Sequence, residues 1–406
     1  MAHITRKRRF AAISFARVRW TRFAFAASLA AGFFAALAGS SAAQSVSVPV
    51  TPDRWVIGDK NERIKPGKSL ANNGKAVEFL GRTSLCLAKG FAYVRDLDLR
   101  NGTIDADMAM DPQGRFIGLA FRVKSEDNYE LFFFRPGASG SIQAIQYTPG
   151  LLGANAWQIY NVPGYVARAD VPSDRWFHVR VVMAGVSAKL YLDNLADPVL
   201  VVSDLKLGYS SGSIGFWGQE GGGYISNVSY TRDSAAYSPE IKQNFLPGTL
   251  ADWEISDSFD AGETDPSVYP NVNTLKWEKV QAETPGMVVI QRYRRDPNVI
   301  PPADAEKKQA RVPGSKVVFA RTTIHADRDE IRKMFFGYSD EIVIYLNSKP
   351  LYAGNNLIGF REPDVLGVVD VNNDAVYLPL KKGDNELVLA VTEFFGGWGF
   401  ICKLVP

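Results

Sequence analysis

Cysteine and histidine are nearly missing from this sequence: its 406 residues include two cysteines and three histidines. Cys86 and Cys402 lie far apart, and two thiols in so long a chain exclude the disulfide framework that supports small secreted domains. A single bridge between them stays open, and two separately buried thiols are the expected alternative. His3 falls in the first 43 residues, which leaves His178 and His325. That is too few imidazoles, with no cysteine nearby, for a zinc centre with nitrogen and sulfur ligands. No G-x-S-x-G nucleophile elbow occurs, and none of the acidic loops has the twelve-residue EF-hand pattern. After Gly39 no run approaches the eighteen apolar residues of a membrane-spanning helix, and no stretch keeps a helical period for ten residues.

Residues 1–43 read as an address rather than as fold. Seven basic residues, Arg6 to Arg22, precede the apolar run FAFAASLAAGFFAALAG, and Ser41-Ala42-Ala43 offers a cleavage site. Cleaved export is the expectation, with an uncleaved anchor or a later start as alternatives, and a periplasmic or secreted location follows. Those seven are part of 46 basic residues, and none of the 43 acidic residues lies there, so the balance beyond is 39 against 43. The basic character of the whole chain thus belongs to the leader. No basic patch interleaved with stacking aromatics remains, which argues against a nucleic-acid partner, and the mature chain is expected to have no transmembrane span.

What is present is short alternating runs. In Phe116–Arg135, FIGLAFRVKSEDNYELFFFR, the residues Ile117, Leu119, Phe121 and Val123 share one parity, and the polar turn SEDN should fold the second run back antiparallel. Neither run can cover its apolar face alone, so a second sheet must lie against it. Further runs at 76–81, 84–89, 91–97, 102–111, 142–147, 176–184, 188–193, 212–218 and 224–230 complete a two-sheet pattern. Residues 231–249 lose alternation and read as a linker. Strand signals then return from ADWEISDSF to GWGFICKL, with NELVLAV expected beside EIVIYLN and with 292–313 a surface excursion that includes an exposed basic run, RYRR. The expected fold class is all-β: two β-sandwich domains, over 44–230 and 250–406.

Two resemblances sharpen this. The run from GTIDADMAMD through GLAFRVKSEDNYELFFFRPG and WFHVRVVMAGVSAKLYLDN to YISNVSY resembles the concanavalin-A-like, laminin-G-like sandwich of exported bacterial proteins, related in fold to the 3-keto-disaccharide hydrolases. GYSDEIVIYLNSKPLY and LPLKKGDNELVLAVTEFFGGWGF resemble a galactose-binding-like jelly roll of the kind attached to glycoside hydrolases. These resemblances imply a carbohydrate or glycan partner and no required cofactor. They also imply that a structural calcium could be held by oxygen-rich loops at Asp96 and Asp98, Asp257–Asp265 and Asp364–Asp374.

The candidate site follows from parity. In WFHVRVVM the residues Phe177, Val179, Val181 and Met183 make an apolar face, so Trp176, His178 and Arg180 point the other way. If that face is the ligand face, His178 and Arg180 join Arg122, Glu130, Arg135 and Gln146, with Trp157 or Tyr147 at the rim. Aromatic planes suit the C–H face of a sugar, while arginine and glutamine suit its hydroxyls. An ordinary cross-strand pair between Glu130 and an arginine is the structural alternative. Catalysis would need paired carboxylates. Asp105 and Asp107 share a face, but the laminarinase-type relatives carry Glu-x-Asp-x-x-Glu where this chain has Asp105-x-Asp107-x-x-Met110. The leading expectation is therefore a glycan-binding protein with a groove on the first sandwich. Hydrolysis through Asp105, Asp107 or Glu130, and a non-catalytic envelope structural or protein-binding role, are the alternatives.

Overall fold

In the strand Phe177–Ala184, Phe177, Val179, Val181 and Met183 are all buried, while His178 and Arg180 are partly exposed. The same alternation runs through the computed structural model, which describes residues 44–58, 69–297, 313–362 and 366–405. The leader, most of the expected excursion after Arg292, and Asp364 of the third acidic loop lie outside these residues. Ala43–Pro406 forms one unit. The described residues contain strands and three single 3₁₀ turns, and no helix among them is long and apolar enough to cross a membrane.

Four sheets result, every pair of neighbouring strands antiparallel. A back sheet runs in the order Leu200–Val202, Ser187–Leu192, Phe177–Ala184, Gly102–Met110, Gly223–Arg232, Arg82–Leu87, Ala76–Phe79. A front sheet runs Ala154–Asn155, Ile145–Leu151, Asn128–Phe134, Phe116–Ser125, Ser213–Gln219, Gly90–Val94, Trp55–Gly58. The SEDN turn pairs its two runs as expected, Ile117 opposite Phe134 and Leu119 opposite Phe132. Between the sheets, Ile104, Met108, Val179 and Val181 from the back meet Leu119, Phe121, Phe132 and Phe134 from the front in one buried cluster. Burying each such side chain contributes about 1.5–3 kcal/mol.

Val123 breaks the expected parity. Arg122 has φ 49°, and the register shifts between Phe121 and Ser125, so a bulge turns Val123 to the outer face. The strand expected at 142–147 instead spans Ile145–Leu151, because Thr148-Pro149-Gly150, which reads as a turn, pairs with Tyr129–Leu131.

The remaining strands form a six-stranded and a four-stranded sheet around a second cluster that contains Trp253, Phe336, Trp398 and Phe400. Gly383–Glu393 does lie beside Glu341–Leu346. Glu330–Tyr338 has a polar start, so its alternation is hidden in the sequence. The two sandwiches are joined by packing: Met287, Val289, Val369 and Ile401 belong to the same buried cluster as Leu151, Ile159 and Tyr160. The RYRR run is correspondingly not a free basic surface. Arg292 pairs with Glu283 at 2.6 Å, Arg294 with Glu278 at 2.7 Å, and Arg295 reaches across to Asp127 at 3.0 Å. Cys86 and Cys402 are both buried and unbridged.

Candidate functional site

On the outer face of the front sheet the odd residues of Asn128–Phe134 continue through Phe133 to Arg135, and Trp217 shares that face opposite the inward Ile214 and Phe216. Gly118 sits between them in register with both Phe133 and Trp217. A Cβ at Gly118 would come within 2.6 Å of Leu131 and 3.0 Å of the Phe133 Cβ. Only glycine therefore lets the Phe133 and Trp217 rings close edge-to-face at 5.6 Å. This aromatic floor belongs to a cavity of about 910 Å³ whose lining includes Arg115, Phe116, Arg135, Gln143, Trp157, Gln219 and Glu220.

The second sandwich supplies one wall, with Ile358, Leu366, Phe395 and Gly396. Its position is set by backbone bonds: Gln158 N–H donates to the Gly396 carbonyl at 2.9 Å, and Val369 N–H donates to the Gln158 carbonyl at 3.0 Å. Gly396 adopts φ 107°, and a Cβ there would lie 2.2 Å from Gln158 Oε1. Gln291 Nε2 donates to the carbonyls of Leu151 and Ala154, each at 2.8 Å, and so anchors the loop that carries Trp157. Trp157 and Phe395 then face each other with centroids 6.1 Å apart.

Arg135 lies over the Phe133 ring at 4.3 Å. Its Nη1 donates to the Gln143 carbonyl at 2.9 Å and its Nη2 to Gln146 Oε1 at 2.5 Å. Gln146, buried beneath the cavity, donates in turn to the carbonyls of Trp157 at 2.6 Å and Tyr160 at 3.0 Å. Desolvation pulls the Arg135 pKa down to about 10, which leaves it cationic at neutral pH. Arg115 and Glu220 pair at 2.9 Å. The surface offers flat apolar rings flanked by amides and two guanidinium groups, one of them paired with Glu220, a chemistry for holding a polyhydroxylated ligand.

No protein-family model matches the chain, and no curated protein sequence matches it. Solved structures do. The carbohydrate-binding module CBM66 from Bacillus subtilis is 15% identical over 44% of this chain and 92% of that one, with a TM-score of 0.29. The β-glucanase of Bacillus licheniformis is 13% identical over 44% and 92%, with a TM-score of 0.31. The exoplasmic/lumenal domain of VIP36, in its Ca2+/Man3GlcNAc-bound form, is 10% identical over 41% and 87%, with a TM-score of 0.30. Each covers less than half of this chain, and at such identities and scores the ligand reading rests on the geometry alone.

The residues expected on a single face divide among four places. Arg135, Gln146 and Trp157 meet at the groove. Arg122 does not, because its bulged backbone sends it to the end of the sandwich. It is buried there and donates to the carbonyls of Arg100 at 3.0 and 2.9 Å, Gly208 at 2.8 Å and Gly185 at 2.6 Å. Glu130 points between the sheets, fully buried. It accepts from the Tyr147 hydroxyl and, at 2.8 Å, from Leu207 N–H, and burial raises its pKa. Neither Arg122 nor Glu130 faces the groove, no Glu130–arginine cross-strand pair forms among the described residues, and Tyr147 packs in the core.

His178 and Arg180 lie on the outer face of the opposite sheet, paired in register with Asp107 and Asp105. His178 places Nε2 2.9 Å from Asp105 and Nδ1 2.8 Å from Asp107. Arg180 Nε donates to Asp105 at 2.7 Å, while Arg82 Nη1 and Asn227 Nδ2 donate to Asp107 at 2.5 and 2.7 Å. The hydrogen bonds to both aspartates raise the His178 pKa to about 9. Desolvation acts to raise both aspartates, but bonds from His178 and its neighbours outweigh it and hold them below the usual carboxylate value. His178 is thus held between two carboxylates that also accept from Arg180, Arg82 and Asn227, an ion network rather than a free base.

Among the described residues no group of three or more His, Cys, Asp or Glu side chains converges as for a metal. Asp260, Asp265 and Asp370 cap their own turns, accepting from Gly262 N–H at 2.9 Å, Ser267 N–H at 2.9 Å and Asn372 N–H at 2.8 Å. In the second sandwich Trp398 is fully buried and donates to the Val391 carbonyl, so it is a core residue. His325 is an exposed strand residue beside Asp384.

Sequence reasoning missed Phe116, Phe133, Gln143, Trp217, Gln219 and Glu220. A signal existed for Phe133 and Trp217, since each alternates with inward residues of its own strand. None existed for Phe395 and Gly396, which reach the groove only through long-range packing.

Proposed function

We propose that the protein is an exported carbohydrate-binding protein whose glycan groove lies on the outer face of the front sheet of its first sandwich. The observation that carries this reading is the cavity itself. Phe133 and Trp217 form its floor over Gly118, Trp157 and Phe395 face each other in its lining, and Arg135, Gln143 and Gln219 offer polar contacts. Flat rings complement the C–H face of a pyranose, and the amides and guanidinium complement hydroxyls. Binding without turnover is favoured over hydrolysis because glycoside cleavage uses two carboxyl groups across the scissile bond. Among the described lining residues Glu220 is the one carboxylate, and it is paired with Arg115. Asp105 and Asp107 are engaged on the opposite sheet, and Glu130 is enclosed.

A glycan array with the protein from residue 44 onward, run with calcium and again with a chelator and followed by product analysis of each hit, tests this. Retained glycans that come back uncleaved are expected under both conditions. Cleavage products would replace the binding reading with an enzymatic one, and an empty array under both conditions would remove it.

A further inference from the structure

The groove's electrostatic balance is uneven. Its described charged lining residues are Arg115, Glu220 and Arg135, and the first two neutralise each other at 2.9 Å. Among the described residues Arg135 has no carboxylate partner. Other protected arginines of the chain do: Arg180 with Asp105 at 2.7 Å, Arg292 with Glu283 at 2.6 Å, Arg321 with Glu254 at 2.8 Å. Arg122 lacks one among the described residues too, but it directs four N–H bonds at three backbone carbonyls. Arg135 makes two bonds, to one carbonyl and one amide oxygen, out of the five donors a guanidinium carries.

Arg135 is half-buried at the edge of the cavity, so its remaining donors are open to a ligand that enters it. Here the plane of the fork is already fixed, by the Phe133 ring beneath it and by Gln143 and Gln146 at its tips. A fixed fork with donors to spare matches a planar or tetrahedral oxyanion, to which arginine binds through paired N–H bonds.

We infer that the ligand of the groove is an anionic saccharide, one whose carboxylate or sulfate group pairs with Arg135 while its ring rests against the aromatic surface. This rests on the glycan-groove reading and narrows it. The two sources of negative charge, a uronic acid and a sulfate ester, share the oxyanion chemistry and differ in shape.

The test compares each charged oligosaccharide with its own neutral counterpart. Tetragalacturonate and trimannuronate are titrated beside their carboxyl-reduced forms, and a sulfated galactan tetrasaccharide beside its desulfated form, by calorimetry at low and at moderate salt. At least one charged member is expected to bind ten-fold or more tighter than its neutral form, with an affinity that falls as salt rises. The uronate arm or the sulfate arm, whichever responds, identifies the source of the charge. Arg135→Gln should erase the preference, and Arg135→Lys, which keeps the charge and loses the fork, should keep part of it. Equal or tighter binding of the neutral forms would overturn the inference while leaving the glycan groove standing. A preference that survives in a folded Arg135→Gln protein would overturn it as well, since the charge would then be read elsewhere. Absence of binding to every charged and neutral member would remove the groove reading and this inference together.

Discussion

Arg122 directs its guanidinium at the carbonyls of Arg100, Gly185 and Gly208, and this decides what a substitution there does. Arg122→Ala leaves three carbonyls without their charged donor in a site closed to water. The expected loss is about 3–5 kcal/mol of stability, read as a fall in chemical denaturation midpoint; an unchanged midpoint would contradict the clamp. His178 makes a different prediction. Its folded pKa of about 9 lies above the ordinary 6.5, so its contribution is complete below pH 6.5 and is lost as pH rises through about 9. The network is partly solvated and is worth about 1 kcal/mol. Wild-type protein should therefore melt above His178→Gln protein at pH 6, and the gap should shrink between pH 6.5 and pH 9. A gap that stays constant to pH 10 would mean that His178 carries no charge in the fold.

At the scale of elements, the period-two pattern made most strands legible, because a half-buried strand must alternate and a slip of one residue would reverse every side chain. Phe177–Ala184 is the clear instance, its inward and outward sets both as read. Where alternation failed, a local device intervened. The bulge at Arg122 reversed Val123, and the charged start of Glu330–Tyr338 concealed a strand altogether. Parity within a strand says which residues share a face but not which sheet the strand joins. That is why Arg135 and His178, both outward, were expected together and lie on opposite sides of the sandwich. The C-terminal strand Gly399–Leu404 is interior to its sheet, between Met287–Val289 and Glu330–Tyr338. Deleting residues 401–406 removes the buried Ile401, Cys402 and Leu404. At about 1.5–3 kcal/mol for each large side chain, with the strand's hydrogen bonds in addition, the loss approaches the about 5–15 kcal/mol that holds a domain folded. The truncated chain should fail to give a cooperative thermal transition, and a normal transition would show that the strand is dispensable.

At the scale of the molecule, the groove is assembled by both sandwiches. Its aromatic floor comes from the first, its Phe395 wall from the second, and the Gln158 and Gln291 bonds hold the two in place. Such a site cannot be read from a sequence, since residues 157 and 395 meet only once two separate cores have merged. The two outer faces of the first sandwich each display a tryptophan: Trp157 at the groove, and Trp176 on the back sheet beside Arg82 and Phe79. Glycan affinity of the wild-type protein, Trp157→Ala and Trp176→Ala, measured side by side on the strongest array hit, compares the two faces directly. Trp157→Ala should lose ten-fold or more in affinity at an unchanged melting temperature, with Trp176→Ala binding as the wild type does. Intact binding in Trp157→Ala, with loss in Trp176→Ala, would put the ligand on the opposite sheet and contradict the account.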